Sequence, residues 1–239
     1  MALLFSPVSQ DVVEGTSQPR PRHAFLMLHA GERRSRLDIE LEGAVCAALD
    51  EHRFEPIRAT DVGGTGDYLD KIIGIIRGCG FGIAIFSEAT PPPTLANIFY
   101  EVGICQMLGK PVILAKTDTA RTPSDFVRTE WISQGEDESR FAESMGQSLI
   151  RLSELPGYFK AIAEVAMEAE DVDYELAFER FRQAVLIGGD VEAAAQIRAI
   201  YDALRAGPQV DAMRVARQRL RTTVGRFLKM LPSEVGGPA

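Results

Sequence analysis

Glu101 is the residue of this chain whose type and setting best suit chemistry on a sugar. It lies in the helix-forming stretch 97–105, Asn-Ile-Phe-Tyr-Glu-Val-Gly-Ile-Cys, where we expect Asn97 to be the N-cap of a helix that runs to about Leu108. Glu101 would then occupy the first turn or the position just past it. A carboxylate there can capture or stabilise the positive charge that develops on a sugar when its bond to a base breaks. On spacing alone, the commoner role of such a glutamate is to complement the helix dipole.

A departing base also needs a proton or a hydrogen bond, and acidic residues on neighbouring loops are the candidates to supply it: Glu88, Asp61 and Asp67. The residues expected to contact a substrate come from the same loops and from the glutamate's own segment: His29, Arg58, Gly63, Gly64, Asp67, Ser87, Asn97 and Tyr100. Several of these residues have an ordinary alternative. A lone histidine at a strand end is more often structural, Gly63 and Gly64 are more often a flexible turn than a phosphate loop, and Tyr100 and Trp131 are at least as often packing residues as stacking ones.

The elements that must position these residues follow from hydrophobic periodicity. Short apolar runs indicate strands at 24–28, 54–58, 81–86 and 111–115, with a weaker edge strand at 126–132. Helical spacing fills the intervals between the first four. This alternation predicts a flavodoxin-like, doubly wound parallel sheet of four to five strands, which binds ligands at the carboxyl ends of its strands. The loops after Leu28, Arg58 and Phe86 are therefore expected to form the site.

Beyond Gln134 the chain becomes rich in Ala, Glu, Arg and Leu, which predicts an all-α region. Helices are expected at 138–152, 158–168, 174–186, 191–206 and 210–231, and Pro156-Gly157 is expected to separate the first two. The predicted organisation is a flexible arm at 1–22, an α/β domain at 23–155 and a helical region at 156–239.

Composition excludes several classes of function. The formal net charge of -8 argues against broad attraction to nucleic acid or anionic lipid. Cys46, Cys79 and Cys105 have neither paired spacing nor companion histidines, so we expect reduced thiols and no metal site. No apolar run is long enough to cross a bilayer. We therefore expect a cytoplasmic protein.

The segments 97–103 and 109–114, Asn-Ile-Phe-Tyr-Glu-Val-Gly and Gly-Lys-Pro-Val-Ile-Leu, resemble the nucleoside 2-deoxyribosyltransferase-like families and related TIR-like proteins, including several bacterial defence effectors. The likeness runs from about Ala24 to Ile132. It implies a nucleotide-processing domain without a cofactor, in which Glu101 acts on an N-glycosidic bond as nucleophile or as stabiliser of the sugar cation. It also implies a homo-oligomer in which a neighbouring subunit can complete the pocket.

The chain departs from that family pattern at two places. Relatives usually carry an aspartate at the end of the third strand, where this chain has Ser87-Glu88, and often another acidic residue shortly before the glutamate, where it has Thr-Leu-Ala-Asn at 94–97. These departures favour hydrolysis, or binding without turnover, over classical base exchange.

Three hypotheses result from the sequence. The first is an N-glycosidase-type enzyme, NAD hydrolase included, that acts on a nucleoside, a nucleotide or NAD. The second is a non-catalytic nucleotide sensor whose helical region signals to a protein partner or drives assembly. The third is an interaction module that works through an arginine-rich helix face formed by Arg214, Arg217, Arg219 and Arg221, although such charge runs are usually solvated surface.

Overall fold

The fold is a five-stranded, all-parallel α/β sheet followed by helices, as seen in a computed structural model that describes residues 17–31, 34–62, 68–121, 131–135, 137–206 and 214–236. The strands are β1 (His23–Met27), β2 (Glu55–Arg58), β3 (Phe81–Phe86), β4 (Val112–Thr117) and β5 (Ile132–Gln134). Their order, β2-β1-β3-β4-β5, is that of a flavodoxin-like fold. The predicted fold class is therefore confirmed.

Helices cover both faces of the sheet and continue beyond it. The α/β unit contains α1 (Arg36–Glu51), α2 (Tyr68–Gly78) and α3 (Pro92–Met107). The helices that follow are α4 (Glu138–Glu168), α5 (Tyr174–Gly188), α6 (Val191–Ala206), α7 (Arg214–Met230) and the short α8 (Ser233–Gly236). Among the described residues, no helix combines the length and apolar character needed to cross a membrane.

The central strand β3 is buried along its whole length because helices pack on both of its faces. One face carries α2 and α3, whose apolar residues meet Phe25, Met27 and Phe86. The other carries α1 and the first half of α4, with Phe141, Met145 and Leu149 against it. A strand covered in this way has no solvent-facing side, which explains the uninterrupted apolar run in its sequence.

Pro156 lies inside α4, so the predicted break between two helices is wrong. A proline in a helix interior removes one hydrogen bond to the preceding turn and usually ends or kinks the helix. Here Pro156 is buried against α5 at Gly188, where an added β-carbon would lie only 3.0 Å from the proline ring. The helix nevertheless continues through Pro156 to Glu168. As a result, α4 contributes Phe141 to the sheet's core and Phe159 to the separate core of the helical region.

Residues 17–22, expected to belong to a flexible arm, are bonded to both parts of the molecule. The Arg20 amide donates to Gly78 at the end of α2, and the Arg22 amide donates to Leu186 in α5, each at 2.8 Å. The Arg22 guanidinium also bonds the carbonyl oxygens of His52 and Arg53. The rest of the predicted arm, residues 1–16, lies outside the described residues.

The edge strand β5 begins at Ile132, where the predicted strand was expected to end. Ile132 pairs with Ala115 of β4, and residues 126–130 of the predicted strand lie outside the described part of the chain. The helix predicted at 191–206 is confirmed at those bounds.

Candidate functional site

Glu101 lies in the third turn of α3 and not in its first. The helix begins at Pro92 with Pro91 as its N-cap, so the prediction of Asn97 as the N-cap is wrong, and Asn97 is an exposed residue of the helix interior. Amides of the first helical turn have no intrahelical acceptor, which is why Pro92 and Pro93 are tolerated there. Since the helix dipole acts mainly within the first turn, it does not account for this glutamate.

The position of Glu101 along the axis of α3, relative to the sheet, follows from the contacts of Cys105, which is four residues further on. An added β-carbon at Gly82 in β3 would lie 3.1 Å from the Cys105 sulfur, and that sulfur is 4.0 Å from the sulfur of Met27 at the end of β1. Glu101 is about 6 Å closer to the start of α3, which is the carboxyl edge of the sheet. Its charge also acts on Tyr68, the first residue of α2. The carboxylate therefore lies on the α2 side of α3, near the start of α2.

Burial raises the pKa of Glu101 to about 7 from the usual 4.5. Removing a carboxylate from water disfavours its charged form unless a cation or a hydrogen-bond donor compensates. Within the described residues the structure records neither for Glu101. A carboxylate that is partly buried and uncompensated is typical of functional sites.

A second group of polar residues lies at the switch point between β1 and β3, where the chain leaves the sheet in opposite directions. Asp38 in the first turn of α1 is 4 % exposed and accepts hydrogen bonds from Ser87 Oγ at 2.6 Å and Thr90 Oγ1 at 3.1 Å. Burial pushes the pKa of Asp38 upward, but hydrogen bonds from Ser87, Ser35 and Thr90 outweigh that effect and leave it below its usual value. Asp38 is therefore an ionised carboxylate that ties α1 to the loop after β3.

His29, two residues beyond the end of β1, faces Asp38. Its Nδ1 lies 3.8 Å from Asp38 Oδ2. Both atoms are shielded from solvent, and neither has a hydrogen-bond partner among the residues that the structure describes. Polar atoms of this kind are rare in folded proteins, and a bound polar group can satisfy them.

Arg58 and Asp61, the candidates after β2, belong to a network of ion pairs. Arg58 Nε donates to Glu42 Oε1 of α1 at 2.5 Å, and Glu42 also pairs with Arg34. Asp61 accepts a hydrogen bond from the Arg58 amide at 2.8 Å and closes a single 3-10 turn at Ala59–Asp61. Arg58 is thus already engaged by a carboxylate, which reduces its availability to bind a phosphate.

Glu88, the other predicted catalytic acid, bonds the end of β4. Its Oε2 accepts from Thr117 Oγ1 at 2.5 Å, and the side-chain hydrogen bonds of Thr117 and Thr119 hold the pKa of Glu88 below its usual value. An exposed carboxylate with a lowered pKa is ionised at neutral pH and is a poor proton donor.

Trp131 packs edge-to-face against Phe86 and Phe99, with ring centroids 5.4 and 6.3 Å away, so the structure gives it packing partners on the α3 side of the sheet. Tyr100, next to Glu101, is 54 % exposed. It is therefore open to solvent and free to contact a ligand that approaches α3 from outside.

The Gly-Lys-Pro turn that follows α3 serves the fold. Gly109 has a φ of 67°, in the left-handed region that favours glycine. Lys110 is 5 % exposed, and its Nζ donates to the carbonyl oxygens of Cys79 at 2.5 Å and Arg77 at 3.3 Å. The lysine thereby satisfies carbonyls at the end of α2. The segment Gly-Lys-Pro at 109–111 therefore has a structural role at the end of α2.

Thiol and metal chemistry find no support in the described residues. Burial raises the pKa values of Cys79 and Cys105 to about 12, which keeps both thiols protonated. No group of three or more potential ligands is close enough to hold a metal ion in the part of the chain described.

The structure thus separates the predicted site residues into distinct groups. His29 and Ser87 meet at Asp38, Arg58 pairs with both Asp61 and Glu42, Glu88 bonds Thr117, and Glu101 lies apart on α3. Gly63, Gly64 and Asp67 lie outside the described residues. Sequence reasoning missed Asp38 and Glu42. The available signal was helical spacing. Asp38 precedes Leu41 by three residues and Glu42 precedes Val45 by three, which places both carboxylates on the buried face of α1, where a solvated charge is not expected.

Comparison with known proteins leaves this geometry as the basis for function: the chain matches no protein-family model, and no curated protein is significantly similar to it in sequence.

Proposed function

We propose that this chain is an N-glycosidase-type enzyme that cleaves, or transfers, the base–ribose bond of a nucleoside, a nucleotide or NAD, with Glu101 as its catalytic carboxylate. The observation that carries the proposal is the partly buried Glu101 carboxylate, without a compensating cation among the described residues and near the start of α2. The proposal includes kinship with the deoxyribosyltransferase-like and TIR-like proteins, and a cytoplasmic location consistent with three unpaired thiols.

Cleavage of the base–ribose bond leaves positive charge on the anomeric carbon. A carboxylate held in a poorly solvated place stabilises that charge more strongly than one in water, because little solvent screens the two. The approach of the cation also lowers the carboxylate's pKa and restores its ionised form. The same burial that makes Glu101 costly in the resting protein therefore suits it to this transition state.

The surroundings of Glu88 and Asp61, the other candidate acids that the structure describes, favour one class of leaving group. Of the candidate acids among the described residues, Glu88 has a lowered pKa and is a poor proton donor, and Asp61 is engaged by the amide and the guanidinium of Arg58. A neutral base needs a proton to depart, whereas a base that carries positive charge while bound to ribose does not. When such a bond breaks, its electron pair stays on the ring nitrogen and neutralises it. Either water bonds the sugar carbon and loses a proton to solvent, or the Glu101 carboxylate bonds that carbon and the resulting ester is then cleaved by water or by an acceptor base. NAD, whose nicotinamide is cationic, is therefore the preferred substrate of the proposal.

The switch point supports binding of a polar ligand at the same edge of the sheet. His29 Nδ1 and Asp38 Oδ2 face each other, and each lacks a described hydrogen-bond partner. Sugar hydroxyl groups both donate and accept, so they can satisfy the two atoms together.

The direct test compares wild type with Glu101→Gln on NAD, AMP, adenosine and deoxyadenosine, with products separated by chromatography. We expect release of nicotinamide from NAD by wild type and a loss of at least about 100-fold in kcat for Glu101→Gln. Glu154→Gln, which removes an exposed glutamate from α4, is the matched control and should retain full activity. Equal turnover of every substrate by wild type and Glu101→Gln would remove the catalytic role.

A non-catalytic nucleotide sensor is the alternative, and the continuity of α4 favours it specifically. This helix contributes to the sheet's core and to the helical core, and the backbone of α5 closely approaches Gly80 at the start of β3. A ligand-induced shift at the sheet would thus reach the helices that contact a partner or a second copy. Isothermal titration separates the two functions, since tight binding of a nucleotide without product formation indicates sensing.

A further inference from the structure

A cavity of about 640 Å³ that is open to solvent lies between α6 and α7, in the helical region and away from the sheet. Four cationic side chains line it, Arg205 from α6 and Arg221, Arg226 and Lys229 from α7, together with the ring of Tyr201. Its volume is within the range of small-molecule binding sites. The four cationic side chains are exposed, and they come from two helices that border one space.

The charge around this cavity is unusual for the chain. The segment 214–230 contains six basic residues and no acidic one, in a protein with a formal net charge of -8. No aspartate or glutamate is among the described residues that line the cavity. None of its four cationic groups has an ion pair with a described residue, whereas Lys160 of α4 has two.

Like charges that share a concave surface repel one another. Four cations without an ion pair to a described residue therefore create a local positive potential that an anion relieves. Guanidinium groups bind phosphate oxygens in pairs of parallel hydrogen bonds, which a lone ammonium cannot do. Three arginines and one lysine match a ligand that carries more than one phosphate group.

The Tyr201 ring adds an apolar surface to this basic cavity. It lies against Gly225 of α7, where an added β-carbon would be 2.9 Å from the ring carbon Cε2. The Arg205 guanidinium is 6.0 Å from the ring centroid. Glycine at position 225 thus lets the ring lie close to the α7 backbone. An aromatic ring beside phosphate-binding groups is suited to stack on a base.

We propose that the cavity between α6 and α7 binds a small molecule with at least two phosphate groups and an aromatic base, a nucleoside di- or triphosphate, at a site separate from Glu101. The arginines and Lys229 hold the phosphates, and Tyr201 stacks on the base. The helical region then has a ligand of its own.

The test is isothermal titration of the full chain with tripolyphosphate and with ADP at about 0.15 M salt, where long-range charge effects are screened. We expect both to bind, and Arg221→Gln and Arg226→Gln each to weaken binding by about tenfold or more. Arg219→Gln, on the same helix but outside the cavity lining, is the matched control and should change affinity by less than about twofold. Tyr201→Leu should weaken ADP binding and leave tripolyphosphate binding unchanged.

Several results would overturn the proposal. Absence of heat with both probes does so, as does an equal loss of affinity in Arg219→Gln and Arg226→Gln, which would indicate only diffuse attraction. Tighter binding of a single-stranded oligonucleotide than of ADP, weakened equally by all the arginine variants, would identify a nucleic-acid surface instead. Glu101→Gln should retain tripolyphosphate binding, so failure here and failure of the glycosidase proposal are independent.

Discussion

Replacing Glu101 with glutamine should stabilise the fold at pH 8, even though it removes the proposed catalytic group. Burial raises the pKa of Glu101 to about 7 from 4.5, so between these values the folded state binds more protons than the unfolded state. Stability therefore falls as pH rises through this window and is highest below it. Glutamine has nearly the same shape as glutamate and carries no charge, so the variant should not lose stability in this way as pH rises.

The magnitude follows from the two pKa values. At about 1.4 kcal/mol per tenfold change in proton affinity, raising the pKa from 4.5 to about 7 corresponds to about 3 kcal/mol across the window, as an upper value for a group that keeps some contact with water. At pH 5 most of this penalty is absent. We therefore expect Glu101→Gln to have a higher free energy of unfolding than wild type at pH 8. Its excess over wild type should be about 2–3 kcal/mol larger at pH 8 than at pH 5.

Urea unfolding at pH 5, 6, 7 and 8 measures this difference. The chain has one tryptophan, and Trp131 packs against Phe86 and Phe99, so its fluorescence reports on the α3 side of the sheet. Glu154→Gln controls for the loss of one negative charge from an acidic protein. Parallel pH curves for wild type and Glu101→Gln would refute the reasoning, because they would mean that the Glu101 carboxylate is solvated or paired. A gain in stability with a loss of activity would instead support a site that sacrifices stability for function.

Three further predictions concern the framework. Asp38→Ala should lower the free energy of unfolding by about 2 kcal/mol at pH 7, because the Ser87 and Thr90 hydroxyls lose their charged acceptor. The difference in urea midpoint between wild type and this variant should shrink as pH falls through the lowered pKa of Asp38. A difference that stays constant with pH would contradict the role of Asp38 as an ionised carboxylate. Burial lowers the pKa of Lys110 to about 7 from 10.5, so between these values the unfolded state binds more protons and wild-type stability should rise from pH 7 to pH 10. Lys110→Met should abolish that rise in urea titrations. The same dependence of stability on pH in the variant and in wild type would show that the ammonium is solvated. Pro156→Ala should raise the thermal midpoint because it restores a hydrogen bond inside α4; a lower midpoint would mean that proline packing against Gly188 is worth more than that bond.

The parallel sheet could be predicted from sequence because its causes are local. A strand covered on both faces requires a continuous apolar run, and 81–86 shows one at the bounds that the structure gives to β3. The intervening helices have apolar stripes, and their connections allow only parallel pairing in a doubly wound order. Position at strand ends likewise predicted His29 and Ser87 as neighbours of one crevice, and the structure brings both to Asp38.

Only tertiary structure decided which predicted groups meet and which local signals are overridden. Pro156 and the prolines before Thr94 are helix breakers by local rules, yet the fold places one against Gly188 and the others at the start of α3, where no hydrogen bond is lost. The partners of a charged group are distant in sequence: Asp38 and Ser87 are 49 residues apart. The burial of Glu101, without a compensating group among the described residues, depends on how α2 and α3 pack. Sequence by itself predicted a carboxylate on the helix that follows β3. Packing determined that this carboxylate is poorly solvated, and desolvation is what raises its pKa.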